Sequence, residues 1–279
     1  MGLVKTIDAH QHFWKFDPVR DSWITDEMAV IQKDFFPNDL KHVLQQNGLN
    51  GCVAVQASQS EGETNFLISL ANQNDFIKGV VGWVDLQSGN IEERLAHYKL
   101  HAVVKGFRHV LQGEPKRDLM LTPDFKRGIA ALQQYSFTYD LLIFPDQLKF
   151  STELVALFPQ QKFVIDHIAK PYIKRKEIDE WKRNIESIAS HQNVYCKISG
   201  MVTEADWKAW KKESFEPYLD VVINAFGTDR IMFGSDWPVC LVAASYEKML
   251  GIVKDYFSAF SKEEQDEFFG LNAIAFYNL

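Results

Sequence analysis

The feature that most constrains the fold of this chain is a regular alternation of short apolar runs with longer segments of helical periodicity. Eight runs rich in Val, Ile and Phe are each typical of a buried parallel strand. They cover residues 6–12, 52–57, 78–84, 102–109, 137–143, 162–168, 194–199 and 230–234. Helical periodicity covers residues 38–46, 64–73, 91–98, 123–134, 148–158, 176–191, 215–226, 246–256 and 262–276. Eight such units in 279 residues favour an α/β fold, a closed (β/α)8 TIM barrel, over an open doubly wound sheet.

The organisation of the chain indicates one domain. No linker, internal repeat or low-complexity segment divides the sequence, so residues 1–279 are predicted to form a single barrel domain. Residues 14–37 form a long aromatic and charged segment after the first strand. Active sites of such barrels lie at the C-terminal ends of the strands, and we therefore expect this segment to cover that end.

Composition and charge argue against several classes of function. Hydrophobic residues make up 46% and charged residues 24%, as in ordinary globular proteins, and the formal net charge is −7. That charge repels nucleic acid and anionic membranes, so neither is an expected partner. The first residues lack the pattern of a secretory signal, and Cys52, Cys196 and Cys240 are far apart in the sequence. We therefore expect a cytoplasmic protein with free thiols.

Two histidines at the end of the first run are the first candidate site residues. In "IDAHQHFW", His10 and His12 share one face of a regular strand, and Asp8 is expected on the same face. Two imidazoles at the C-terminal end of a barrel strand could ligate one metal ion or hold a substrate oxygen. A pair of structural histidines is the alternative, and the spacing alone does not decide between these hypotheses.

Two further motifs end at the same expected edge of the barrel. "FVIDHIAKP" places His167 late in the sixth run, while Asp166 is expected to face the opposite way as a structural partner of backbone or of a cation. "RIMFGSDWP" places Asp236 directly after the eighth run, where a carboxylate suits general-base catalysis or metal ligation. A turn or cap residue is the alternative for Asp236. Three motifs on strands one, six and eight nevertheless meet at one barrel mouth, which favours a functional site.

Together these motifs resemble those of the amidohydrolase superfamily. The histidine pair, "DHIAKP" and "FGSDWP" are similar to the amidohydrolase-2 group, and "KGFRHV" and "KISGM" add to the likeness. The resemblance runs from Asp8 to Pro238 in the expected order. Within the group, the chain most resembles sugar-lactone hydrolases of the L-fuconolactonase and L-rhamnonolactonase type.

The resemblance implies that water attacks the carbonyl of a sugar-acid lactone, most simply an aldonolactone. It makes Asp236 the general base and places His10, His12 and His167 around a metal ion or the carbonyl oxygen. If a metal is bound, one divalent ion on these four side chains is expected, with zinc as the first choice, and a metal-independent reaction is the alternative. A two-metal site is not expected, because the fifth run has no histidine and Lys105 lies early in the fourth.

Candidate substrate contacts are cationic, aromatic and amide side chains near the strand ends. They are Arg108, Lys197, Trp14, Trp237 and Gln56. Cationic donors suit the negative charge that develops on a carbonyl oxygen under attack. Arg108 and His109 alternate along the fourth run, and we expect Arg108 to point inward. The alternative for either cation is a structural salt bridge.

Other functions stay open as alternatives. A metal-dependent decarboxylase of the same broad group uses a similar histidine pair and aspartate, although the missing histidine on strand five argues against it. A hydrolase of a dicarboxylate lactone would need more than one cation at the mouth, and a non-catalytic barrel would bind a sugar acid without turnover. No Gly-x-Ser-x-Gly elbow, phosphate-binding loop or dinucleotide motif occurs in the sequence. Exposed apolar helix faces would allow a homo-oligomer, but no residue pattern demonstrates one.

Overall fold

A computed structural model of the protein describes residues 6–279, which form an eight-stranded parallel sheet. Neighbouring strands pair in sequence order from the first to the eighth. The strands are β1 (Ile7–Gln11), β2 (Gly51–Val55), β3 (Ile77–Gly82), β4 (Val104–His109), β5 (Thr138–Leu141), β6 (Phe163–Ile165), β7 (Val194–Ile198) and β8 (Ile231–Phe233). The predicted (β/α)8 barrel is confirmed.

Helices follow the strands and cover the outside of the barrel. The α-helices are α1 (Pro37–Gln46), α2 (Glu61–Gln73), α3 (Ile91–Lys99), α4 (Pro123–Gln134), α5 (Leu148–Leu157), α6 (Asp179–Ala189), α7 (Met201–Glu204), α8 (Glu216–Phe226), α9 (Tyr246–Phe257), α10 (Lys262–Asp266) and α11 (Asn272–Tyr277). A π-helical segment, Glu267–Leu271, joins the last two. Helices α1 and α4 begin at prolines, whose missing N–H would be unpaired in a first turn. Helix α2 begins after Ser60, whose side chain accepts a hydrogen bond from Glu63 N.

Alternating side chains along the strands separate the barrel interior from the helical layer. Val53 and Val55 of β2 pack in one cluster with Ile7 of β1 and with apolar residues of β3, β6 and β8. Cys52 and Ala54, which alternate with them, pack in the larger cluster that contains the helices. Because side chains from well-separated strands of a barrel meet inside it, the first cluster is the interior.

Helix α11 closes the interior at the N-terminal ends of the strands. Phe276 and Tyr277 belong to the interior cluster. Lys105 Nζ, near the start of β4, donates to the carbonyl oxygen of Asn278 at 2.8 Å. The interior is therefore a packed core below the C-terminal mouth, and the mouth is where a ligand can enter.

The first and last strands are joined at their C-terminal ends. His12 N donates to the carbonyl oxygen of Trp237 at 2.7 Å, and Asp236 N donates to that of His10 at 2.8 Å. Gln11 and Trp237 form a parallel bridge at the same place. The hydrogen bonds that bring the two edges of the sheet together thus run between candidate site residues.

Residues 14–37 cross the C-terminal end of the barrel, as their position in the sequence predicts. Backbone hydrogen bonds of 3.0 and 2.9 Å pair Trp14 with Phe35. The indole N–H of Trp14 donates to the carbonyl oxygen of Lys33 at 2.9 Å. A 3-10 helix, Asp26–Ile31, occupies the middle of the segment. The base of this covering loop is therefore fixed to β1, which carries the histidine pair.

Strands β6 and β8 end earlier than the apolar runs predict. The sixth run was expected to continue to residue 168, but the backbone φ angle is 54° at His167 and 49° at Lys170, in the left-handed region. The eighth run was expected to continue to residue 234, and shortly after it Asp236 has a φ of 56°. Non-glycine residues rarely adopt this region, so such turns mark positions that the surrounding structure determines. Both turns deliver a candidate site residue to the mouth.

Within residues 6–279, no helix combines the length and the apolar character that crossing a bilayer requires. Cys52, Cys196 and Cys240 are buried free thiols. Burial raises the pKa of each thiol above its ordinary value, which suits packing and not nucleophilic attack.

Candidate active site

Four side chains from β1 and from the turns after β6 and β8 converge at the C-terminal end of the barrel. Asp236 Oδ1 lies 3.3 Å from His12 Nε2 and 3.9 Å from Nε2 of both His10 and His167. His10 Nε2 and His12 Nε2 are 3.2 Å apart. All four side chains are buried. The structure thus brings together the residues that the three sequence motifs predict to meet.

The other ring nitrogens of the histidine pair have partners that influence their tautomers. His10 Nδ1 lies 3.2 Å from Asp166 Oδ1, and His12 Nδ1 lies 2.8 Å from the carbonyl oxygen of Val55. A carbonyl can only accept, so Nδ1 carries the proton in His12. In His10 the carboxylate of Asp166 accepts from Nδ1 and Arg108 Nη1, 3.3 Å from Nε2, donates to that atom; together they favour a proton on Nδ1, against the ammonium of Lys197, which also lies 3.2 Å from Nδ1. Nε2 of each ring is left with a lone pair; in His10 this atom lies 3.3 Å from Arg108 Nη1, and in His12 it lies 3.3 Å from Asp236 Oδ1.

Two glycines make room for the histidines. His167 Nδ1 lies 2.9 Å from Ser199 Oγ, which can accept its proton. A Cβ atom on Gly200 would lie 2.6 Å from His167 Nδ1, and Gly200 has a φ of 62°. A Cβ atom on Gly234 would lie 2.7 Å from the Cβ atom of His10. Both positions therefore need a residue without a side chain.

Burial determines the charge of the imidazoles. It lowers the pKa of both His10 and His167 well below the usual 6.5, so these rings are neutral at neutral pH. Burial alone would raise the pKa of Asp236, but its charged and hydrogen-bonding neighbours, the ammonium of Lys170 among them, lower it below its ordinary value. At neutral pH the site therefore combines the uncharged rings of His10 and His167 with an ionised carboxylate.

This set of donor atoms fits a divalent metal ion. Two unprotonated Nε2 atoms 3.2 Å apart repel each other through their lone pairs unless a cation or a proton lies between them. His10, His12 and Asp236 offer ligand atoms that all lie within 4.8 Å of one another, and so do His10, Asp166 and His167. Hydrogen bonds from the opposite ring nitrogens hold ligating imidazoles in this way in metalloproteins.

Asp8 does not share the face of His10, and that expectation was wrong. The pairing of β1 with β2 shifts register between Asp8 and Gln11, which interrupts the alternation of side chains. Asp8 Oδ2 accepts a hydrogen bond from the hydroxyl of Tyr246 in α9 at 3.0 Å, and Oδ1 accepts one from Ser235 N at 2.8 Å. Asp8 therefore anchors β1 to β8 and to the outer helix.

Asp166 faces the interior, although strand alternation predicts that it points away from His167. The expected direction was wrong because β6 ends one residue earlier, so the alternation no longer applies there. Asp166 accepts a hydrogen bond from Arg108 Nη1 at 3.0 Å and forms an ion pair with Lys197 Nζ, also at 3.0 Å. Against the effect of burial, Lys197 and His10 hold the pKa of Asp166 well below its ordinary value. The side chain is an ionised partner of cations beneath the site.

A cavity of about 430 Å³ lies above the converging side chains. His12, His167 and Asp236 form its floor, and Trp14 and Trp23 form part of its wall. The two indole rings meet edge to face, with centroids 6.0 Å apart. The volume falls within the range of small-molecule sites, and the aromatic wall belongs to the covering loop.

Three cationic side chains also line the cavity, and each is paired with a carboxylate. Arg20 contacts Asp21 at 2.7 Å, and Lys170 contacts Glu204 at 3.1 Å. Arg108 forms an ion pair with Asp166 beneath the floor, at 3.0 Å. The positive charge of the wall is thus largely compensated, which suits an uncharged polar ligand better than a dianion.

Two of the five predicted substrate contacts, Trp14 and Arg108, line this cavity. Arg108 points inward, whereas His109 faces away from the interior, with its Nε2 2.7 Å from Glu114. Arg108 Nη2 also donates to the carbonyl oxygen of Gln56. The guanidinium is therefore held from two sides and reaches the cavity with one edge.

The other three predicted contacts, Lys197, Gln56 and Trp237, are not among the residues that line this cavity. Lys197 is fully buried between the carboxylates of Asp140 and Asp166. The amide of Gln56 donates to a backbone carbonyl of β4 at 3.2 Å. The ring of Trp237 packs edge to face against an aromatic ring of the covering loop, 5.1 Å away. Position near a strand end does not specify the layer that a side chain occupies.

Sequence reasoning missed Arg20, Lys170 and Asp140. The direction of Lys170 depends on the left-handed turn that begins at His167, and that of Arg20 depends on the path of a long loop. Neither can be derived from strand periodicity. Asp140 had a usable signal, because it is a carboxylate in the otherwise apolar fifth run, "FTYDLLI".

The geometry can be compared with that of known proteins. Residues 7–279 match the sequence model of a family described as Amidohydrolase. An L-fucono-1,5-lactonase from Burkholderia multivorans is 37% identical over 290 aligned residues, which cover 100% of this chain and 97% of that protein. An L-fucono-1,5-lactonase from Burkholderia ambifaria is 32% identical over 277 residues, which cover 98% of this chain and 95% of that protein.

A solved structure agrees with these matches. The crystal structure of an amidohydrolase from Burkholderia multivorans with bound zinc superposes with a TM-score of 0.95 at 37% identity. The superposition covers 98% of this chain and 99% of that one. Since the likeness extends from the histidine pair on β1 through the helix that closes the barrel, the chain belongs to the amidohydrolase family.

Proposed function

We propose that this protein hydrolyses the lactone ring of a sugar acid, with L-fucono-1,5-lactone as the leading substrate. The observation that carries the proposal is the convergence of three imidazoles on Asp236 at the floor of an aromatic-walled cavity. Two full-length relatives named L-fucono-1,5-lactonase support the substrate class. The buried free thiols suit the reducing cytoplasm, which we propose as the place of action.

Asp236 acts as the general base in this mechanism. A water molecule beside the ionised carboxylate gives it a proton while the water oxygen attacks the lactone carbonyl carbon. The bond between that carbon and the ring oxygen then breaks, and the proton on Asp236 passes to the ring oxygen. Lactone and water thus give a hydroxy acid. The lowered pKa of Asp236 keeps the carboxylate ionised and able to accept the proton at neutral pH.

The imidazoles suit a metal ion better than they suit the carbonyl oxygen itself. Neutral rings that carry the proton on Nδ1 have no Nε2–H to donate to an oxyanion. His10, His12, His167 and Asp236 would hold one divalent ion, and zinc prefers such nitrogen and oxygen ligands. When bound, the ion supplies Lewis acidity, which polarises a carbonyl group and favours the ionisation of water.

Arg108 supplies a permanent positive charge beside the reacting centre. Its Nη1 lies 3.3 Å from His10 Nε2, and the guanidinium lines the cavity. Negative charge builds on the carbonyl oxygen during attack, and a cation already fixed in place stabilises it without reorganisation. The rings of Trp14 and Trp23 would lie against the sugar and exclude bulk water.

Hydrolysis of a dicarboxylate lactone is the second candidate. More than one cation does line the cavity, as that substrate would require. However, Arg20 and Lys170 already form ion pairs with carboxylates, so two further negative charges would meet partly neutralised partners. We therefore favour an uncharged lactone.

The test is proton release from a panel of lactones. The panel contains L-fucono-1,5-lactone, L-rhamnono-γ-lactone, two D-aldonolactones and a dicarboxylate lactone, with dihydroxybenzoates as decarboxylase substrates. Each is assayed with enzyme stripped by a chelator and with enzyme reloaded with one equivalent of zinc. We expect the L-fucono-lactone to be hydrolysed fastest, and only after reloading.

The outcomes separate the parts of the proposal. If hydrolysis survives chelation, with metal content checked by elemental analysis, the protein is a lactonase whose mechanism does not need zinc. Preference for the dicarboxylate lactone would replace the substrate class. Decarboxylation without hydrolysis of any lactone would overturn the proposed function.

A further inference from the structure

Beneath the floor of the site, charged side chains form a buried layer across the barrel interior. Asp140, Asp166, Lys197 and Arg108 are each at most 4% exposed. Lys197 Nζ lies 2.5 Å from Asp140 Oδ2 and 3.0 Å from Asp166 Oδ1, and Arg108 Nη1 lies 3.0 Å from Asp166 Oδ2. Two cations and two carboxylates compensate one another. Loss of one partner in such a layer leaves the others poorly solvated, so their positions depend on one another.

The layer touches the site through His10. Asp166 Oδ1 lies 3.2 Å from His10 Nδ1. The same oxygen forms an ion pair with Lys197 Nζ at 3.0 Å. Asp166 favours a proton on His10 Nδ1, because it can only accept, whereas Lys197 Nζ, also 3.2 Å from Nδ1, favours the opposite tautomer. The position of Lys197 in turn determines where Asp166 Oδ1 lies.

Tyr277 joins the layer from the opposite end of the barrel. It belongs to α11, and its hydroxyl donates to Asp140 Oδ2 at 2.8 Å. Lys197 Nζ lies 5.5 Å from the centroid of its ring. Within residues 6–279, the other oxygen of Asp140 has no hydrogen-bond partner. A single oxygen of Asp140 therefore accepts hydrogen bonds from both Tyr277 and Lys197.

We propose that Tyr277 is a positioning residue for His10, although it lies at the end of the barrel opposite the site. Its hydroxyl holds Asp140, and Asp140 with Asp166 holds Lys197 midway between them. This arrangement keeps Asp166 Oδ1 against His10 Nδ1 and directs Nε2 of that ring toward the site. Without the hydroxyl, Asp140 keeps Lys197 as its donor and draws the ammonium toward itself, away from Asp166 Oδ1 and from His10 Nδ1, so the contacts that hold the His10 ring loosen.

A purely structural role for Tyr277 makes different predictions. The ring packs with apolar interior residues, so its loss could destabilise the barrel without any effect on the site. The variant Tyr277→Phe keeps the ring and removes the hydroxyl. Tyr98→Phe is the matched control, because Tyr98 is also fully buried and its hydroxyl donates to Glu61 at 2.9 Å in the helical layer.

The first measurement is the tautomer of His10 in the metal-free protein, from long-range ¹H–¹⁵N spectra of the imidazoles. The signals of this ring are assigned by their loss in His10→Gln. We expect the wild type and Tyr98→Phe to share one pattern of His10 ring signals, and Tyr277→Phe to differ from it. This readout needs no substrate. Only the consequence for turnover rests on the proposed function.

The second measurement is zinc affinity by competition with a chromophoric chelator. Removal of groups that orient ligating histidines weakens metal binding by about 10- to 100-fold, and we expect Tyr277→Phe to lie at the lower end. With the lactone as substrate, kcat should fall by about tenfold while KM changes by less than about twofold, because a positioning defect acts mainly on the transition state. Tyr98→Phe should leave all these values unchanged.

A double-mutant cycle tests the route through Asp140. On the background of Asp140→Asn, Tyr277→Phe should have no further effect on zinc affinity, and additive effects would overturn that route. If Tyr277→Phe leaves the His10 signals and the zinc affinity unchanged, Tyr277 contributes only to packing, whether or not thermal stability falls. A wild type without lactonase activity would overturn the proposed function but leave the spectra and the affinities to decide this proposal.

Discussion

At the residue scale, the position of His10 depends on the absence of a side chain at Gly234. A Cβ atom there would lie 2.7 Å from the Cβ atom of His10 and 3.1 Å from that of Ser199. Gly234→Ala should lower the free energy of unfolding by about 1–3 kcal/mol, because overpacking forces neighbours to shift. It should also weaken zinc binding, because the shifted neighbour is a ligand. Urea unfolding and zinc titration measure the two effects.

Gly89→Ala is the control for this substitution. No heavy atom lies within 4 Å of a Cβ atom at Gly89. The control should leave zinc affinity unchanged. Equal zinc affinity in Gly234→Ala and Gly89→Ala would contradict the tight contact between Gly234 and His10.

Asp236→Asn tests the assignment of the general base. The substitution keeps the shape of the side chain but removes the charge that accepts the proton of water. We expect kcat to fall by about 10²- to 10⁴-fold, which is the usual contribution of general-base catalysis. Stopped-flow proton release measures the rate, and circular dichroism checks the fold. Asp75→Asn, at an exposed carboxylate outside the barrel mouth, should keep full activity, and a similar rate in Asp236→Asn would remove that residue as the base.

The sequence predicted the residues of the site better than their surroundings. His10, His12, His167 and Asp236 could be found because motif and strand end coincide. The inward direction of Asp166 could not be predicted, because it arises from the end of β6 and not from periodicity. The contribution of α11 to the interior involves a contact between distant parts of the chain, which no local pattern encodes.

At the element scale, the first turn of α2 carries two glutamates whose charges have opposite effects on stability. Glu61 contacts the guanidinium of Arg94, which lowers the pKa of Glu61 despite partial burial. Glu63 is buried, and burial raises its pKa above 4.5 although Ala57 N donates to it at 3.1 Å. Ala57 lines the cavity, so Glu63 holds a segment of the cavity wall in place. When Glu63 is ionised, its burial lowers the stability of the fold.

The two glutamates predict opposite pH dependences. The raised pKa of Glu63 means that its contribution to stability is present at and below pH 4.5 and is lost as pH rises through the folded-state pKa. Glu63→Gln should therefore gain stability relative to the wild type between pH 4.5 and pH 8. The lowered pKa of Glu61 means that its contribution is present above pH 4.5 and is lost as pH falls. Glu61→Gln should lose stability relative to the wild type at pH 8.

Urea unfolding at pH 4.5, 6 and 8 provides the measurement, and each variant serves as the control for the other. Both substitutions remove one negative charge from the same helix turn, so a general effect of net charge would move both in the same direction. Parallel curves for Glu61→Gln and Glu63→Gln would contradict the assignment of opposite pKa shifts.

Elements were more predictable than their ends. The positions of all eight strands follow from apolar runs, because a strand buried on both faces must be apolar throughout. The early end of β6 could not be predicted, because the residues after it have strand-like composition but adopt a left-handed turn. The shift of register in β1 was hidden for the same reason, since composition does not reveal a bulge.

At the scale of the whole molecule, a metal ion in the site would join the two edges of the barrel. His10 belongs to β1 and His12 directly follows it, while Asp236 follows β8. Because these ligands come together only in the folded chain, zinc binds the folded state and stabilises it. At a free zinc concentration of about 100 times the dissociation constant, the free energy of unfolding should rise by about 2.7 kcal/mol. For a chain of this size that corresponds to roughly 5–10 °C in Tm. Differential scanning calorimetry with and without zinc measures the shift.

His12→Gln should abolish the zinc-dependent shift in Tm, and His97→Gln, at an exposed histidine of α3, should retain it. Magnesium, which prefers oxygen ligands, should produce no shift. A shift of the same size in His12→Gln would place the stabilising zinc elsewhere on the protein.

The hydrogen bonds between β1 and the end of β8 also have a consequence for folding. They join His10 to Asp236 and His12 to Trp237, residues near opposite ends of the chain. Contacts between residues so far apart in sequence carry a large entropic cost of loop closure and are slow to form. A chain that is still being synthesised has its histidine pair long before it has the aspartate opposite. The site can therefore arise only when the barrel closes, so that catalytic competence itself reports the completion of folding.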